Sequence, residues 1–380
     1  MSFEIGPWLE SFPVREHVLY LDHAALAPLP RPVAEAMRHR IEEQELGGDT
    51  RWEAWLQHAM TCRHLGAQLI GCAPDDISLV GSTSQGLSLV AEGLGLGAGD
   101  EVLIGEEEFA ANVAPWLHLE RFGVRTVRYS QPDGRIRTEV VERSMTASTK
   151  VLALSWVAFH TGWVAPLEEL AALCRSRGVL LVIDAMQGLG ALEIDMRRLG
   201  ASAVIADGHK WLLGPEGQGL MALSPEVRAR IEPVMTGWRN VELGPNDYFL
   251  HELSLLHDGR RFEPGSCNGV GVAGLAAALD VLTQVGPDII AARIEMLSRL
   301  LTRILLAHGW ELYSPGSGHP IAGIVSGRPP KVAPGDAVER LRKRHVACSV
   351  RQGYVRFSPH FYVTKGEMTA LDRILEKAGL

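Results

Sequence analysis

Short apolar runs alternate with helical patterns from about residue 65 to residue 225. Residues 167–177, for example, have the spacing of a helix and are followed by Gly178, a residue that suits a left-handed helix cap. Unbroken apolar strands that alternate with helices are typical of a mostly parallel sheet covered on both faces. The sequence therefore predicts an α/β fold, with ligands at the carboxyl ends of the strands. The predicted strands are 77–80, 101–104, 126–129, 150–154, 179–183, 203–206 and 219–223.

A second and smaller unit is expected after residue 282. A long helical pattern over residues 287–308 leads into several strand patterns and two further helical patterns, which together suit a small α+β domain. We therefore expect a large domain over residues 16–282 and a small domain over 283–380, with residues 1–15 packed on the small one. The predicted elements of the small domain are strands 310–313, 321–325, 346–350 and 355–358 and helices 287–308, 333–344 and 365–377.

Composition disfavours several classes of protein. The chain of 380 residues has a net charge of -8, whereas general binding of nucleic acid requires a basic surface. No apolar run reaches the ~20 residues that a membrane span needs, and the first residues lack the pattern of a signal peptide. The five cysteines are scattered, which is typical of free thiols in a reducing compartment. We expect a cytoplasmic protein without a nucleic-acid, membrane or metal partner, since no HxxxH or HExxH spacing occurs.

Two residues near the middle of the chain are placed as pyridoxal phosphate chemistry requires. Asp184 ends one apolar strand pattern, and Lys210 follows the next. A lysine amine can form a Schiff base with the aldehyde of this cofactor. A carboxylate near the ring nitrogen keeps the pyridinium protonated, so that the ring accepts electrons. The pair is therefore a candidate cofactor site.

A segment rich in serine and threonine, residues 81–86 (GSTSQG), follows the first strand pattern and opens a helical stretch. Hydroxyls and free amides at the start of a helix bind phosphate well. Serine and threonine are also common there as plain helix caps, so this segment alone leaves both interpretations open. The glycines of residues 93–97 follow a helix and precede a strand, which is the reverse of a dinucleotide-binding motif and indicates a turn.

Several motifs together resemble the class V aminotransferase family of fold-type I pyridoxal phosphate enzymes. This family includes cysteine desulfurases, selenocysteine lyases, kynureninases and isopenicillin N epimerase-like enzymes. The similarity covers nearly the whole chain, and the order of the motifs is more specific than any single one. The motifs are YLDHAALAP at 20–28, GSTSQG at 81–86, ANVAPW at 111–116, VIDAMQ at 182–187, DGHKW at 207–211, RFEPGS at 261–266 and VRFSPHFY at 355–362.

The resemblance implies pyridoxal 5'-phosphate as the cofactor and gives four residues a role around its ring. Lys210 is expected to hold the aldehyde, and Asp184 is expected to pair with the pyridine nitrogen. Gln187 is expected to face the phenolic oxygen of the ring. Phe109 takes the place where desulfurases carry a stacked histidine; a phenyl ring can stack on a pyridine ring, but it cannot transfer protons.

The resemblance also implies contacts to the phosphate and to the substrate. Arg356 matches the arginine that binds the substrate carboxylate, and a guanidinium suits that task because it forms two parallel bonds to a carboxylate. Ala25, in the N-terminal motif, is expected beside the substrate. Ser266 matches a position that reaches the phosphate of the neighbouring subunit, which implies a homodimer with shared active sites. The other expected phosphate contacts are Thr83, Ser84 and His209.

In several places the sequence departs from the desulfurases of this family. Residues 351–356 (RQGYVR) run directly from an arginine–glycine turn to the carboxylate arginine, so that no room is left for the loop with the nucleophilic cysteine. Cys348 lies in an apolar strand pattern and is expected to be a buried thiol. Phe159 replaces an asparagine, as in epimerase-like members. Asp207 stands where relatives have a phosphate-binding serine, and we expect it to point elsewhere.

The sequence thus predicts an enzyme that acts on a small amino-acid substrate, with Lys210 moving the Cα proton as general base and acid. Transamination, racemisation and loss of a β- or γ-substituent all begin in this way. We favour aminotransferase-like chemistry over a C–S or C–Se lyase or an epimerase. The alternative of another class is a non-catalytic protein that binds the cofactor, and the intact lysine, aspartate and arginine disfavour it.

Overall fold

The computed structural model of the protein describes residues 5–131, 133–244, 248–314, 319 and 322–380. Met1 to Glu4, part of the predicted N-terminal segment, lie outside the described residues. The strands in this part of the chain are, in order, β1 (Leu19–Tyr20), β2 (Ile77–Val80), β3 (Glu101–Gly105), β4 (Arg125–Tyr129), β5 (Thr149–Ser155), β6 (Leu180–Asp184), β7 (Ala203–Asp207), β8 (Gly219–Leu223), β9 (Glu311–Leu312), β10 (Val325–Arg328), β11 (Val346–Ala347), β12 (Ser349–Arg351) and β13 (Tyr354–Phe357).

The last helix shows how capping residues in the sequence set where a helix begins and ends. Thr364 caps the last helix in a capping box with Glu367, and Gly379 ends it in the left-handed conformation. The α-helices are α1 (Gly6–Leu9), α2 (Arg31–Gly47), α3 (Trp52–Ile70), α4 (Thr83–Gly93), α5 (Ala114–His118), α6 (Thr138–Ser144), α7 (Leu167–Arg177), α8 (Met196–Leu199), α9 (Pro225–Arg230), α10 (Gly269–Val285), α11 (Pro287–Ala307), α12 (Pro334–Arg342) and α13 (Lys365–Ala378).

A seven-stranded sheet lies at the centre, in the order β2-β8-β7-β6-β5-β3-β4. Only β8 runs against the other strands, since it pairs antiparallel with both of its neighbours. Successive residues of a strand face opposite sides of a sheet, so Val182 and Ile183 of β6 belong to two separate apolar clusters. Leu87 and Val90 of α4 cover the first face, and residues of α3, α7 and α10 cover the second. The predicted α/β architecture with a mostly parallel, doubly covered sheet is confirmed.

The C-terminal part of the chain forms a smaller antiparallel sheet in the order β12-β13-β10-β9. The chain's N-terminal region contacts this part. β1 pairs in parallel with β11, and the ring of Phe12 stacks on Tyr362 with centroids 3.7 Å apart. Arg15 Nε lies 3.1 Å from Glu367 Oε1. Residues 5–20 are therefore attached to the C-terminal elements by backbone pairing, ring stacking and an ion pair.

Two predicted strands differ from the structure. The strand expected at 321–325 begins only at Val325, because Gly323 has a φ of 83° and so interrupts the extended backbone; residue 321 lies outside the described residues. The strand expected at 346–350 is two strands, since the chain changes partner at Cys348, from β1 before it to β13 after it.

The predicted division after residue 282 falls within α10, which continues to Val285. The chain changes direction at Gly286, where the axes of α10 and α11 meet at 81°. Across the described residues, no single helix is both long and apolar enough to cross a membrane, and only α10 and α11 taken together, across their bend, meet both conditions. The two-domain division itself stays a prediction.

Candidate active site

The carboxyl ends of β2, β3, β6 and β7 border a cavity of about 370 Å³, a volume within the range of small-ligand pockets. A larger cavity of about 810 Å³ lies beside Trp163 and contains none of the predicted site residues, so the smaller one is the candidate site. Its lining includes every residue that the motifs indicated except Ser266. It is lined by Ala24, Ala25, Ser82, Thr83, Ser84, Phe109, Ala111, Phe159, Asp184, Met186, Gln187, Asp207, His209, Lys210, Arg351 and Arg356.

Asp184 and Lys210 form the charged centre of the cavity. Asp184 is 4% exposed, and its Oδ1 accepts a hydrogen bond of 2.9 Å from the Met186 amide. Burial raises the pKa of Asp184 to about 6, an effect that the Met186 amide and the Lys210 charge partly oppose. Burial lowers the pKa of Lys210 to about 8, and the negative charge of Asp184 partly opposes this shift. At neutral pH the lysine is therefore much easier to deprotonate than a lysine in water.

The serine-rich segment is the start of α4, as the sequence predicts. Ser82 is the helix cap, and its Oγ accepts from the amide of Gln85. Thr83 and Ser84 follow in the first turn, where backbone N–H groups lack partners within the helix, and both line the cavity. The two interpretations of this segment are thus compatible, because one hydroxyl caps the helix while the next two residues face a cavity.

His209 and Asp207 lie next to each other at the cavity wall. His209 Nδ1 is 3.2 Å from Asp207 Oδ2, and Asp207 Oδ1 accepts a hydrogen bond of 2.7 Å from the Gly208 amide. The expectation that Asp207 points away from the site is wrong, because Asp207 also lines the cavity. Its carboxylate is held by the neighbouring backbone and lies against the imidazole ring.

A backbone carbonyl and an indole N–H orient the side-chain amide of Gln187. Its Nε2 donates to the carbonyl of Ala24 at 2.9 Å, and its Oε1 accepts from the indole of Trp211 at 2.8 Å. One N–H of the amide is left for a ligand.

On another wall, Phe109 is 47% exposed, and Lys210 Nζ lies 5.8 Å from the centre of its ring. The Phe109 ring therefore presents a free face near the lysine.

Arg356 is buried and is held by two acceptors. Its Nη1 donates to the carbonyl of Phe159 at 2.8 Å, and its Nη2 lies 3.3 Å from Asp22 Oδ1. Ser349 also donates to Asp22. Burial raises the pKa of Asp22, although the Arg356 charge opposes this. The Nε of Arg356 is buried without a partner among the described residues. The guanidinium is thus fixed in position and keeps donor capacity for a further anion.

A half-buried glutamate that the sequence did not reveal is linked to Asp184 through the neighbouring strand. Glu108 Oε2 accepts from Ser155 Oγ at 2.5 Å and from Asn112 Nδ2 at 3.0 Å. Ser155 is the register partner of Asp184 between β5 and β6. Burial raises the pKa of Glu108 to about 7. Glu108 therefore fixes the chain immediately before Phe109 to the strand that flanks Asp184.

The hairpin before Arg356 is as short as the sequence predicts. β12 and β13 are joined by Gln352 and Gly353 alone, with φ values of 47° and 77°, the signs of a tight two-residue turn. Among the described residues no cysteine lines the cavity. Cys348 is partly buried beside β12, and burial raises the pKa of its thiol. Ser266 is exposed and lies outside the cavity of its own chain.

Five further lining residues received no role in the predictions from the sequence: Ala24, Ser82, Ala111, Met186 and Arg351. Met186 Sδ lies 3.3 Å from both Thr83 Oγ1 and the Asp207 amide nitrogen, so its thioether bridges three of the strand ends. Ser82 and Met186 fall inside the quoted motifs, and Arg351 begins the RQGYVR run. Their positions in these motifs could have identified them as site residues. In the described part of the chain, no group of three or more His, Cys, Asp or Glu residues is arranged to hold a metal ion.

Comparison with known proteins agrees with this architecture. The family model described as aminotransferase class-V matches residues 19–369. A probable cysteine desulfurase of Methanothermobacter thermautotrophicus is 29% identical over 96% of this chain and 95% of its own length. The uncharacterized aminotransferase YcbU of Bacillus subtilis is 26% identical over 96% of both chains.

Among solved structures, the apo structure of a cysteine desulfurase from Thermococcus onnurineus NA1 superimposes with a TM-score of 0.89. The two proteins are 25% identical, and the match covers 99% of this chain and 98% of the other. Family model, relatives and fold thus agree over nearly the full length. The chain belongs to the aminotransferase class-V family of fold-type I, pyridoxal phosphate-dependent enzymes.

Proposed function

We propose that the protein is a pyridoxal phosphate-dependent lyase that breaks the carbon–sulfur bond of a cysteine-type amino acid without a cysteine nucleophile of its own. The observation that carries the proposal is that Lys210 and Asp184 lie together in a cavity that no cysteine of the described chain lines. Relatives named as probable cysteine desulfurases support sulfur chemistry. This reverses the order favoured by the sequence alone, which placed aminotransferase-like chemistry first.

The residues that line the cavity fit pyridoxal phosphate in their chemistry. Thr83 and Ser84 supply hydroxyls and free amides for a phosphate at the start of α4, with His209 beside them. Phe109 offers an open ring face, and the remaining N–H of Gln187 suits an oxygen acceptor. When bound, the cofactor supplies an aldehyde for amines and a ring that accepts the electrons of a breaking bond at Cα.

Asp184 and Lys210 carry the electrostatic part of the proposal. A buried carboxylate such as Asp184 favours a proton on a pyridine nitrogen placed next to it. Lys210, with a pKa lowered to about 8, takes the Cα proton of the substrate as a neutral amine and can return it afterwards. Phe109 has no proton to give, so Lys210 is the group that moves protons on this side of the site.

Loss of sulfur needs no additional nucleophile. Lys210 takes the proton from Cα, the carbon–sulfur bond breaks, and its electron pair leaves with the sulfur, which then gains a proton. The three-carbon enamine that is released hydrolyses in water to pyruvate and ammonia. A desulfurase with its own cysteine instead transfers the sulfur to that cysteine and leaves alanine. The two-residue turn at Gln352 and Gly353 leaves no loop to carry such a cysteine.

Two further assignments belong to this proposal. Arg356 binds the α-carboxylate of the substrate, since it lines the cavity with its charge fixed by Asp22 and the Phe159 carbonyl. Ser266 reaches the phosphate in a second copy of the chain, which makes the active form a homodimer. Its exposure, together with its absence from the cavity of its own chain, supports this assignment.

The products of the reaction test the proposal. Purified protein loaded with pyridoxal phosphate is incubated with L-cysteine and L-cystine, and pyruvate, alanine, sulfide and the keto acid 3-mercaptopyruvate are measured separately. We expect pyruvate in step with released sulfur. Alanine as the main product would point to a desulfurase mechanism, and 3-mercaptopyruvate formed with the aminated cofactor would point to transamination; either result contradicts the proposal.

The cysteines provide a second prediction. Replacing Cys348 and the exposed Cys267 together by serine should leave the rate of pyruvate formation within about twofold, because neither thiol lines the cavity. A desulfurase would lose its activity when the sulfur-accepting cysteine is removed. The rate is compared with that of the unchanged protein after equal cofactor loading, measured by visible absorbance. Loss of the reaction in this variant, with the fold retained, would contradict the lyase assignment.

The pH dependence of cofactor uptake gives a third prediction. Only the neutral amine of Lys210 attacks an aldehyde, so the uptake rate of the cofactor-free protein should rise with pH and level off above about 8. In Asp184→Asn the plateau should begin at lower pH, because the negative charge that raises the Lys210 pKa is gone. The growth of visible absorbance after mixing gives the rate. A plateau only near the ordinary lysine pKa of 10.5 would contradict the account.

A further inference from the structure

Arg351 is a second arginine of the cavity, close to Arg356. β12 and β13 pair so that Ser349 lies opposite Arg356 and Arg351 lies opposite Tyr354. Alternate residues of a strand share one face of the sheet, so Arg351 and Ser349 project to the same side as Arg356. Diagonal neighbours of this kind lie about 7–8 Å apart. Both arginines line the cavity.

Within the part of the chain that the structure describes, the charge of Arg351 has no negative partner. Its Nη1 donates to the carbonyl of Val350 at 2.8 Å, and no carboxylate in the described part of the chain lies within ion-pair distance of its guanidinium. Two other charged groups of the cavity differ in this respect. Arg356 is paired with Asp22, and Asp207 lies against His209. Arg351 is therefore a free cation at the wall of a cavity.

The turn keeps this cation next to the site. Gln352 and Gly353 reverse the chain directly after Arg351, so the turn adds no loop beside its side chain. The positive charge of Arg351 also contributes to the lowered pKa of Lys210 and opposes the rise in the pKa of Asp22. Its guanidinium is thus near enough to Lys210 and to Asp22 to act on both.

We propose that Arg351 binds a second anionic group, carried by the side chain of the substrate, while Arg356 binds the α-carboxylate. The proposal rests on the proposed function for the identity of the cavity as an amino-acid site. It narrows the substrate to cysteine-type amino acids whose sulfur bears an anionic substituent, such as a carboxylate or a sulfonate. A guanidinium recognises either group through paired hydrogen bonds.

The same contact assists the reaction. The sulfur leaves with the electron pair of the broken bond, and an anionic substituent on it adds further negative charge to the departing group. A cation placed near that group stabilises the charge as it develops. Arg351 is therefore expected to contribute to the rate with anionic substrates as well as to their binding.

Binding of unreactive ligands tests the inference without any turnover. Glutarate carries two carboxylates, whereas its monoamide carries one carboxylate and one uncharged amide. Their dissociation constants are measured from changes in the cofactor's visible spectrum. Glutarate should bind about 10- to 100-fold more tightly than the monoamide, as charged hydrogen bonds allow. Arg351→Gln should remove this preference, and Arg351→Lys should retain part of it. Arg328→Gln is the matched control, since Arg328 is exposed over Tyr354 and lies outside the cavity.

Turnover provides the second arm. S-carboxymethyl-L-cysteine should exceed its neutral amide analogue, S-carbamoylmethyl-L-cysteine, by about 10- to 100-fold in kcat/KM, and the advantage should disappear in Arg351→Gln. Equal binding of both ligands to the unchanged protein would overturn the inference, as would an equal loss for both in Arg351→Gln, which would make Arg351 the anchor of the α-carboxylate. A preference for glutarate without any pyruvate from either substrate would sink the lyase function but leave the second anion site standing.

Discussion

Lys210→Ala is expected to abolish turnover, with a fall of at least about 10²- to 10⁴-fold, the range of a lost general acid–base group. Lys210 lies in the cavity with Asp184, and burial lowers the pKa of its amine to about 8. Alanine removes both the amine that holds the cofactor and the base that moves the Cα proton. The visible absorbance band that arises when the Lys210 amine bonds to the cofactor aldehyde should also disappear in the variant.

The matched control is Lys150→Ala. Lys150 lies on β5 of the same sheet but is exposed, so its loss should leave absorbance and turnover unchanged. Pyruvate formation and visible absorbance are measured for both variants at equal cofactor concentration. Retained turnover in Lys210→Ala, with the absorbance band still present, would place the reactive amine on another residue and remove the basis of the proposed chemistry.

Arg356→Gln is expected to weaken the binding of α-amino acids about 10- to 100-fold, equivalent to the roughly 1.5–3 kcal/mol of a charged hydrogen bond. Simple amines of similar size, which lack a carboxylate, should lose less than about twofold. The difference arises because only the carboxylate contacts the guanidinium. Apparent dissociation constants for L-alanine and for ethylamine, read from the cofactor's spectrum, provide the comparison.

Asp22 provides the control for stability. Removing Arg356 leaves the partly buried Asp22 without its ion-pair partner, and the cost is at most about 3–5 kcal/mol, the value for a fully buried pair. Adding Asp22→Asn should recover much of the thermal stability, since Ser349 can still donate to the amide oxygen, but it should not restore carboxylate binding. Equal losses for L-alanine and ethylamine in the stabilised double variant would show that Arg356 has a structural role only.

The central sheet could be predicted because its strands, except the edge strand β4, are mostly apolar and buried on both faces. All seven predicted strands of residues 77–223 occur, with ends shifted by one residue at most. Asp184 and Lys210 could be placed together for the same reason. In a parallel sheet the carboxyl ends of neighbouring strands meet at one edge, so residues that follow such strands are close in space whatever their separation in sequence.

The small sheet was harder to predict because its strands take their partners from distant segments. No local pattern shows that the chain on either side of Cys348 pairs first with β1 and then with β13. Nor does a pattern show that Gly323 adopts a positive φ. These features depend on the packing of residues far apart in sequence.

The site residues that the sequence did not reveal also depend on contacts between distant parts of the chain. Glu108 accepts a hydrogen bond from Ser155, which is distant in sequence, and only the folded chain brings it near Asp184 and raises its pKa. Arg351 lies in the RQGYVR run, but its lack of a negative partner among the described residues is a property of the folded chain. Asp207 was expected to avoid a phosphate site on grounds of charge, whereas the neighbouring His209 ring and Gly208 amide hold its carboxylate at the wall.

The attachment point of the cofactor tests the central claim most directly. The protein is loaded with pyridoxal phosphate, treated with borohydride to fix any bond to a lysine, digested and analysed by peptide mass spectrometry. We expect the added mass on the peptide that contains Lys210, and no label in Lys210→Ala. Label on Lys150, Lys331, Lys343, Lys365 or Lys377, or no label on any lysine, would contradict the account.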